Sequence, residues 1–259
     1  MRNKAKMKNH TRYFINSLEK GLAVLDIFSK HKAPLSLTDV ARLTNMNLVS
    51  ATRYLRTLTD LGYLAHDPSN KKYSPASKII SLGLSFLSSL DLRDRVSPQL
   101  VSVSQEFDVT TSCCILDGIE IVYVERVKGG DIIHLDLGPG SRLPAYITAM
   151  GRAILANLPS KALAKIVNKM EFKRHTPYTI TDKKELLEEL ERTRKRGFAQ
   201  NIQETKLGYS NFAAPIFKGD QVEAALGVTL AFNQTEDERF MKALIERLID
   251  AANKTSILD

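Results

Sequence analysis

The sequence contains no tryptophan and only two cysteines, Cys113 and Cys114. Adjacent cysteines pair poorly with each other, and two are too few to staple a secreted scaffold, so a reducing, cytoplasmic compartment is expected. No CxxC pair occurs. The five histidines (His10, His31, His66, His134 and His175) never recur at i, i+4 spacing, so no metal site and no cofactor is read. No apolar run approaches the ~18 residues that span a bilayer. The opening MRNKAKMKNHTRY is basic but lacks the apolar stretch of a secretion signal, so no membrane role is expected. Gly138-Pro139-Gly140-Ser141 lacks the Lys-Ser/Thr of a phosphate-binding loop and reads as a turn. Asp131 and Asp136 could pair as carboxylates, but nothing in the sequence activates them. No catalytic residues are assigned, and an enzyme is not expected.

What is present is an ordinary globular composition, 43% apolar and 25% charged, in 259 residues. That length allows one large domain or two modest ones. The formal charge of +8 is unevenly placed. Residues 1–92 hold 14 Lys/Arg against 6 Asp/Glu, which accounts for the whole excess and leaves the remainder neutral. Such asymmetry points the first third toward a polyanion, nucleic acid before an anionic membrane. Five of those basic residues lie in positions 1–12, which read as a disordered arm that either seeks DNA or only solubilises.

The first third reads as three helices and a hairpin. Residues 17–31 carry Leu18, Leu22, Leu25 and Phe28 in one stripe, with Ser17 as a possible cap. Ser36 and Asp39 form a weak capping box for a second helix. Asn45-Met46-Asn47 turns the chain into a third helix, Leu48 to about Leu61, closed by Gly62. Ala51, Leu55 and Leu58 share its inner face. Two short extended runs around Asp67-Pro68-Ser69-Asn70 then form a hairpin whose return strand begins Lys71-Lys72.

Helix, short turn, helix and basic hairpin is the winged helix-turn-helix pattern. A helix fits the major groove, and its outward face must carry donors and small groups for base edges. The candidate DNA-binding residues are Ser36, Asn47, Val49, Ser50, Thr52, Arg53 and Arg56, with Lys71 and Lys72 on the wing against phosphates or the minor groove. A solvated amphipathic helix is the competing reading of the third helix alone.

Residues 76–92 read as a connecting helix, and a further helix, about 93–107, opens the second domain near residue 92. Beyond it, Cys113–Leu116 and Glu120–Val127 flank Asp117-Gly118, a strong hairpin signal. Further strands are expected at 132–137, 198–204, 211–217 and 222–232. Helices are expected at 149–158, 161–170, 181–196 and from Glu236 to Ile249 or beyond. Hairpins rather than βαβ repeats imply an α+β fold with a mainly antiparallel sheet flanked by helices. Core packing is the expected fate of both cysteines.

Residues 17–83, SLEKGLAVLDIF through SPASKIISLG, resemble the N-terminal domain of the IclR family of bacterial transcriptional regulators. LPAYITAMGRAILA (143–156) and GFAQNIQETKLGYSNFAAPIF (197–217) are similar to signatures of that family's ligand domain. The likeness spans about residues 15–255. RLPAYITAMGR resembles the subgroup that regulates aromatic-acid catabolism through the β-ketoadipate pathway.

The resemblance begins after the basic disordered arm read from charge, bounded at 1–14, and implies a winged helix-turn-helix domain at 15–75. A linker helix at 76–92 and a GAF-like effector domain at 93–259 follow. It implies double-stranded DNA with a pseudo-palindromic operator, a small acid effector, and a homodimer or homotetramer. By motif position it places Ala149, Met150, Asn201, Tyr209, Asn211, Gly227 and Thr229 at the effector. Family members with an acid at position 201 or Ser at 227 differ here, which argues against a small 2-oxo acid. Tyr209 and Met150 suit a flat aromatic body, while Asn201, Asn211 and Thr229 can bond polar substituents.

A carboxylate could also use backbone N–H groups at 148–151, or a cation from Arg142 or Arg152. Arg152, inside an amphipathic helix, reads rather as a surface or ion-pair residue, and solvent exposure remains open for Asn201 and Asn211. The expected function is therefore a regulator sensing an aromatic acid of the protocatechuate or 4-hydroxybenzoate type. An aliphatic 2-oxo or sugar acid is the alternative within the family. An enzyme acting on a small acid and a constitutive architectural DNA-binding protein are the alternatives outside it.

Overall fold

The computed structural model describes residues 13–31, 33–130 and 137–257. The expected arm lies almost wholly outside these, as do the Asp131/Asp136 pair and nearly all of the strand expected at 132–137. The chain forms two units that divide between Phe86 and Leu87.

The first unit holds α1 (Asn16–Lys30), β1 (Leu35–Ser36), α2 (Leu37–Thr44), α3 (Leu48–Asp60), β2 (Leu64–Asp67) and β3 (Lys72–Pro75). Its small sheet has the order β1-β3-β2, antiparallel throughout. Ser36 caps α2 in a capping box with Asp39, and Asn47 caps α3. Asn45 takes the left-handed conformation that reverses the chain between the two helices. Val24, Phe28, Val40, Leu55, Leu58 and Leu64 make the core. The α1 stripe is thus centred on Val24 and Phe28, while Leu18 and Leu22 are exposed. Ser17 caps nothing, because α1 begins one residue earlier, at Asn16.

Along the chain, the helix expected at 76–92 is the shorter α4 (Lys78–Ser88), and the one expected at about 93–107 is α5, which begins earlier (Asp91–Phe107). Leu92, Val96, Leu100 and Val103 bury the α5 stripe in the second core.

The second unit is built on a six-stranded antiparallel sheet, order β6-β5-β4-β9-β8-β7. Its strands are β4 (Thr110–Asp117), β5 (Glu120–Val127), β6 (Arg142–Pro144), β7 (Ala199–Ile202), β8 (Tyr209–Lys218) and β9 (Gln221–Ala231). The helices are α5, α6 (Ala149–Ala156), α7 (Ser160–Val167), α8 (Lys183–Arg196) and α9 (Glu238–Thr255). One sheet face packs on α5 and α9 through Cys113, Val124, Leu226 and Val228. The other packs on α6 and α8 through Cys114, Tyr123, Ala213 and Ala225. A register shift in the β4–β5 pairing falls between Cys113 and Cys114, and the two cysteines enter opposite cores. Burial raises both thiols well above the ordinary cysteine range.

Helix α6 packs closely on the short helical turn at 145–147 that precedes it. A Cβ on Gly151 would lie 2.2 Å from the Ala145 carbonyl oxygen, so only glycine fits there. The Thr148 hydroxyl caps the helix by accepting the Gly151 N–H at 3.0 Å.

Candidate functional site

In the first unit, helical period decides what α3 offers. Ala51, Leu55 and Leu58 are buried against α1 and α2, so Val49, Thr52, Arg53 and Arg56 point outward. Val49 is 73% exposed, an apolar group of the kind that meets a thymine methyl. Arg53 and Arg56, three residues apart, have no acidic partner among the described residues. Thr52 donates its hydroxyl to the Leu48 carbonyl at 2.8 Å and keeps its lone pairs.

Two predicted contacts are committed elsewhere. The Asn47 side-chain oxygen accepts the Ser50 N–H at 2.8 Å, which leaves its amide nitrogen as the group available to a partner. The Ser36 hydroxyl accepts from the Asp39 N–H and donates to the Asp39 carboxylate at 2.7 Å. Ser36 therefore acts first as a cap. Those bonds from Ser36 hold the Asp39 carboxyl below its ordinary range.

On the hairpin, Lys71 and Lys72 are both exposed, Lys71 with a left-handed backbone. Asp67 shapes the tip by accepting from the Ser69 N–H, the Ser69 hydroxyl and the Asn70 amide. The lysines are thereby presented on a fixed turn rather than a loose loop.

In the second unit a cavity of about 170 Å³ opens between α6 and the sheet. Six predicted effector residues meet on its wall: Ala149, Met150, Tyr209, Asn211, Gly227 and Thr229. The Thr229 hydroxyl donates to the Asn211 side-chain oxygen at 2.7 Å. Gly227 makes room for Met150, since a Cβ there would stand 2.5 Å from Met150 Cγ and 2.9 Å from its Sδ.

Asn201 is not on that wall. It is 1% exposed, donates to the Ile147 carbonyl and the Thr205 hydroxyl, and accepts the Glu204 N–H. It braces the loop behind the cavity and has little left for a ligand. The exposure considered for Asn201 does not match this placement, and the residue stands behind the lining rather than on it.

Arg152 is also not at the surface. It is 1% exposed and forms a two-pronged ion pair with Glu204 at 2.6 and 2.5 Å. Its Nε donates to the Tyr146 carbonyl at 2.8 Å. Glu204 in turn accepts the Ile180 N–H, while its backbone carbonyl accepts from Thr179. This pair ties α6 to the 203–208 loop. Arg142 is on the edge strand, bonded to Asp117 and Glu120, and supplies no cation to the cavity.

Sequence reasoning missed Tyr123, Leu137, Leu143, Thr205, Lys206, Phe212 and Val228 on the wall. Lys206 Nζ sits 5.0 Å from the centre of the Tyr209 ring. Its place inside the quoted 197–217 signature was the available signal. Tyr123 had none, because the face of β5 depends on pairing with β4. Among the described residues no group of three metal-ligating side chains occurs, and no helix is long and apolar enough to cross a membrane.

Two family models match the chain. Residues 17–68 match the IclR helix-turn-helix domain, and residues 84–257 match the bacterial transcriptional regulator IclR C-terminal domain. Among curated relatives, the HTH-type transcriptional regulator XynR of Escherichia coli is 30% identical over 86% of this chain and 89% of its own length. The Pca regulon regulatory protein of Pseudomonas putida is 31% identical, covering 90% and 81%. The p-hydroxybenzoate hydroxylase transcriptional activator of Acinetobacter baylyi is 30% identical, covering 94% and 92%.

Proposed function

Because the chain belongs to the IclR family of bacterial transcriptional regulators, we propose that its second unit senses a one-ring aromatic carboxylic acid and so controls catabolic genes. A ligand-responsive, DNA-binding regulator of the IclR type is the premise, and the aromatic acid is the proposal. The observation that carries it is the cavity. Its volume of about 170 Å³ compares with the ~150 Å³ of an engineered apolar cavity that takes up benzene. Tyr123, Met150, Tyr209 and Phe212 offer flat or soft apolar surface, and Asn211 and Thr229 add a polar edge for a ring substituent. The p-hydroxybenzoate and Pca relatives support the same class.

The DNA contacts proposed are Val49, Ser50, Thr52, Arg53 and Arg56 to the major groove, with Asn47 at its edge and Lys71 and Lys72 to phosphates. A two-fold assembly would read a pseudo-palindrome with half-sites a helical turn or more apart. Effector binding would then bias operator affinity through a coupling free energy of about 1–3 kcal/mol. The relatives are transcriptional regulators, and the proposal includes no turnover of the acid.

Thermal denaturation of the full chain against a panel of acids tests the reading. An effector at 100 times its dissociation constant adds about 2.7 kcal/mol to the state it binds. Stabilisation by 4-hydroxybenzoate or protocatechuate, absent with pyruvate and glyoxylate, is expected. The reverse pattern would keep the regulator and replace its effector class.

A further inference from the structure

Two polar groups on the cavity side of the sheet lack the partners that burial demands. Ser112 is 2% exposed, and its hydroxyl has no hydrogen-bond partner among the described residues. Nor have Nε and Nη2 of Arg126, both shielded from solvent. No ion pair engages Arg126 among the described residues. An orphaned buried hydroxyl or guanidinium is costly, and native proteins leave few.

Register fixes where these groups point. Ser112 pairs with Arg126 on β5 and with Gly227 on β9, so the three form one row across the sheet. The neighbours Thr111 and Cys113 face the other way. Thr111 donates its hydroxyl to the α5 carbonyl of Leu100, and Cys113 sits in the α5–α9 core. Gly227 faces Met150, and Tyr123, also on the Arg126 face of β5, lines the cavity. At ~4.8 Å per strand, Arg126 starts about 10 Å from Gly227, with Ser112 between them. Burial lowers the proton affinity of the guanidinium, and the nearby Tyr123 counters this.

We propose that Arg126 and Ser112, on the cavity side of the sheet but behind the residues that line the cavity, form its acid-recognising subsite, and that Met150 shifts off Gly227 to let the carboxylate of the bound acid reach them. This rests on the reading of the cavity as the effector site. The chemistry matches. A guanidinium presents a planar fork to the two carboxylate oxygens, and the hydroxyl supplies another donor. The exposed Lys206 at the cavity wall is a hydrated point charge, and serves as the competing anchor to be tested.

The test compares binding of 4-hydroxybenzoate and its uncharged amide, 4-hydroxybenzamide, by titration calorimetry, with pyruvate as the aliphatic probe. The proteins are the full wild-type chain and its R126Q, S112A and K206M variants. Expected results are a wild-type preference for the acid and a loss of roughly 10–100-fold in R126Q for the acid alone. A smaller loss is expected in S112A, and little change in K206M. The apo R126Q protein should melt no lower than wild type, because the cation it removes has no ion-pair partner among the described residues.

Unchanged acid affinity in R126Q, with the aromatic acid still bound, overturns this inference and leaves the aromatic reading standing. Equal loss of acid and amide also overturns it, as a merely structural effect. Pyruvate binding that depends on Arg126 sustains the inference and overturns the aromatic reading. A wild-type chain that binds no acid overturns both.

Discussion

The two units carry their functional side chains in opposite ways. In the first, Arg53, Arg56, Lys71 and Lys72 project from a finished scaffold. The core of Val24, Phe28, Leu55 and Leu58 lies behind them and uses none of them. In the second, the cavity wall is itself part of the core. Ala149, Met150, Tyr123 and Phe212 line the space and also belong to the packed clusters on the two sheet faces. Recognition of a polymer from outside needs exposed charge, which costs the fold little. Recognition of a small molecule from inside needs a defect in packing, and every residue around that defect serves stability too. Binding and stability should therefore separate under mutation in the first unit and move together in the second.

The largest expected effect strikes the second unit at its ion pair. Arg152→Met leaves Glu204 buried without its partner and should destabilise by about 3–5 kcal/mol, read by chemical denaturation. Acid binding should fall with it, since Glu204 neighbours Thr205 and Lys206 on the wall. R152M combined with Glu204→Leu should recover much of the stability. A single R152M variant of wild-type stability would break the comparison, because the cavity would then stand on something other than this brace.

A middle-sized effect is expected at Gly227→Ser. The new Cβ meets Met150 at 2.5 Å, and overpacking of this kind costs about 1–3 kcal/mol. Acid affinity should fall as Met150 is driven into the cavity. Adding Met150→Ala should restore stability and alter which acids bind, seen in melts across the same panel. Failure of that rescue would show that Gly227 matters for something other than the methionine.

The smallest effect on stability belongs to the first unit. Arg53→Ala should shift stability by no more than about 0.5 kcal/mol, as for an exposed site without partners. It should still weaken operator binding by about 1–3 kcal/mol and relax base preference at one position. Lys72→Ala should weaken binding to all sequences alike and flatten the salt dependence. Gel shifts on scrambled operators read both, and equal uniform losses would remove Arg53 from the base-reading set.

What could be read in advance followed the same division. On α3, period 3.6 placed Ala51, Leu55 and Leu58 inward, and the structure buries them. On α1 the same rule faltered, because apolar residues run nearly all round the helix. Val24 and Phe28 are buried, while Leu18 and Leu22 border a groove with Tyr54, Leu61 and Tyr63. The two-residue β1 and three-residue β6 carry no pattern long enough to detect, and exist only through pairing with β3 and β5. Arg152 read as a surface or ion-pair residue; the ion pair is what the structure holds, but its partner, Glu204, is 52 residues away and no local pattern names it. Asn201 carried a motif position but not its hydrogen bonds, which lead to Ile147 and Thr205.

Local patterns alone therefore determined an α+β chain with a basic helix-turn-helix first third, the outward face of α3, and a largely antiparallel second part. Caps, periods and turn residues act over a few positions, and those are written in consecutive residues. The tertiary structure alone decided the depth and size of the cavity. It also seated Met150 over Gly227, buried Arg152 on Glu204, and left Arg126 and Ser112 unpaired on the cavity side of the sheet. The reason is the side-chain alternation of strands. A shift of one residue in register sends a side chain to the opposite face, and register here comes from strands more than a hundred residues apart, as between Ser112 and Gly227.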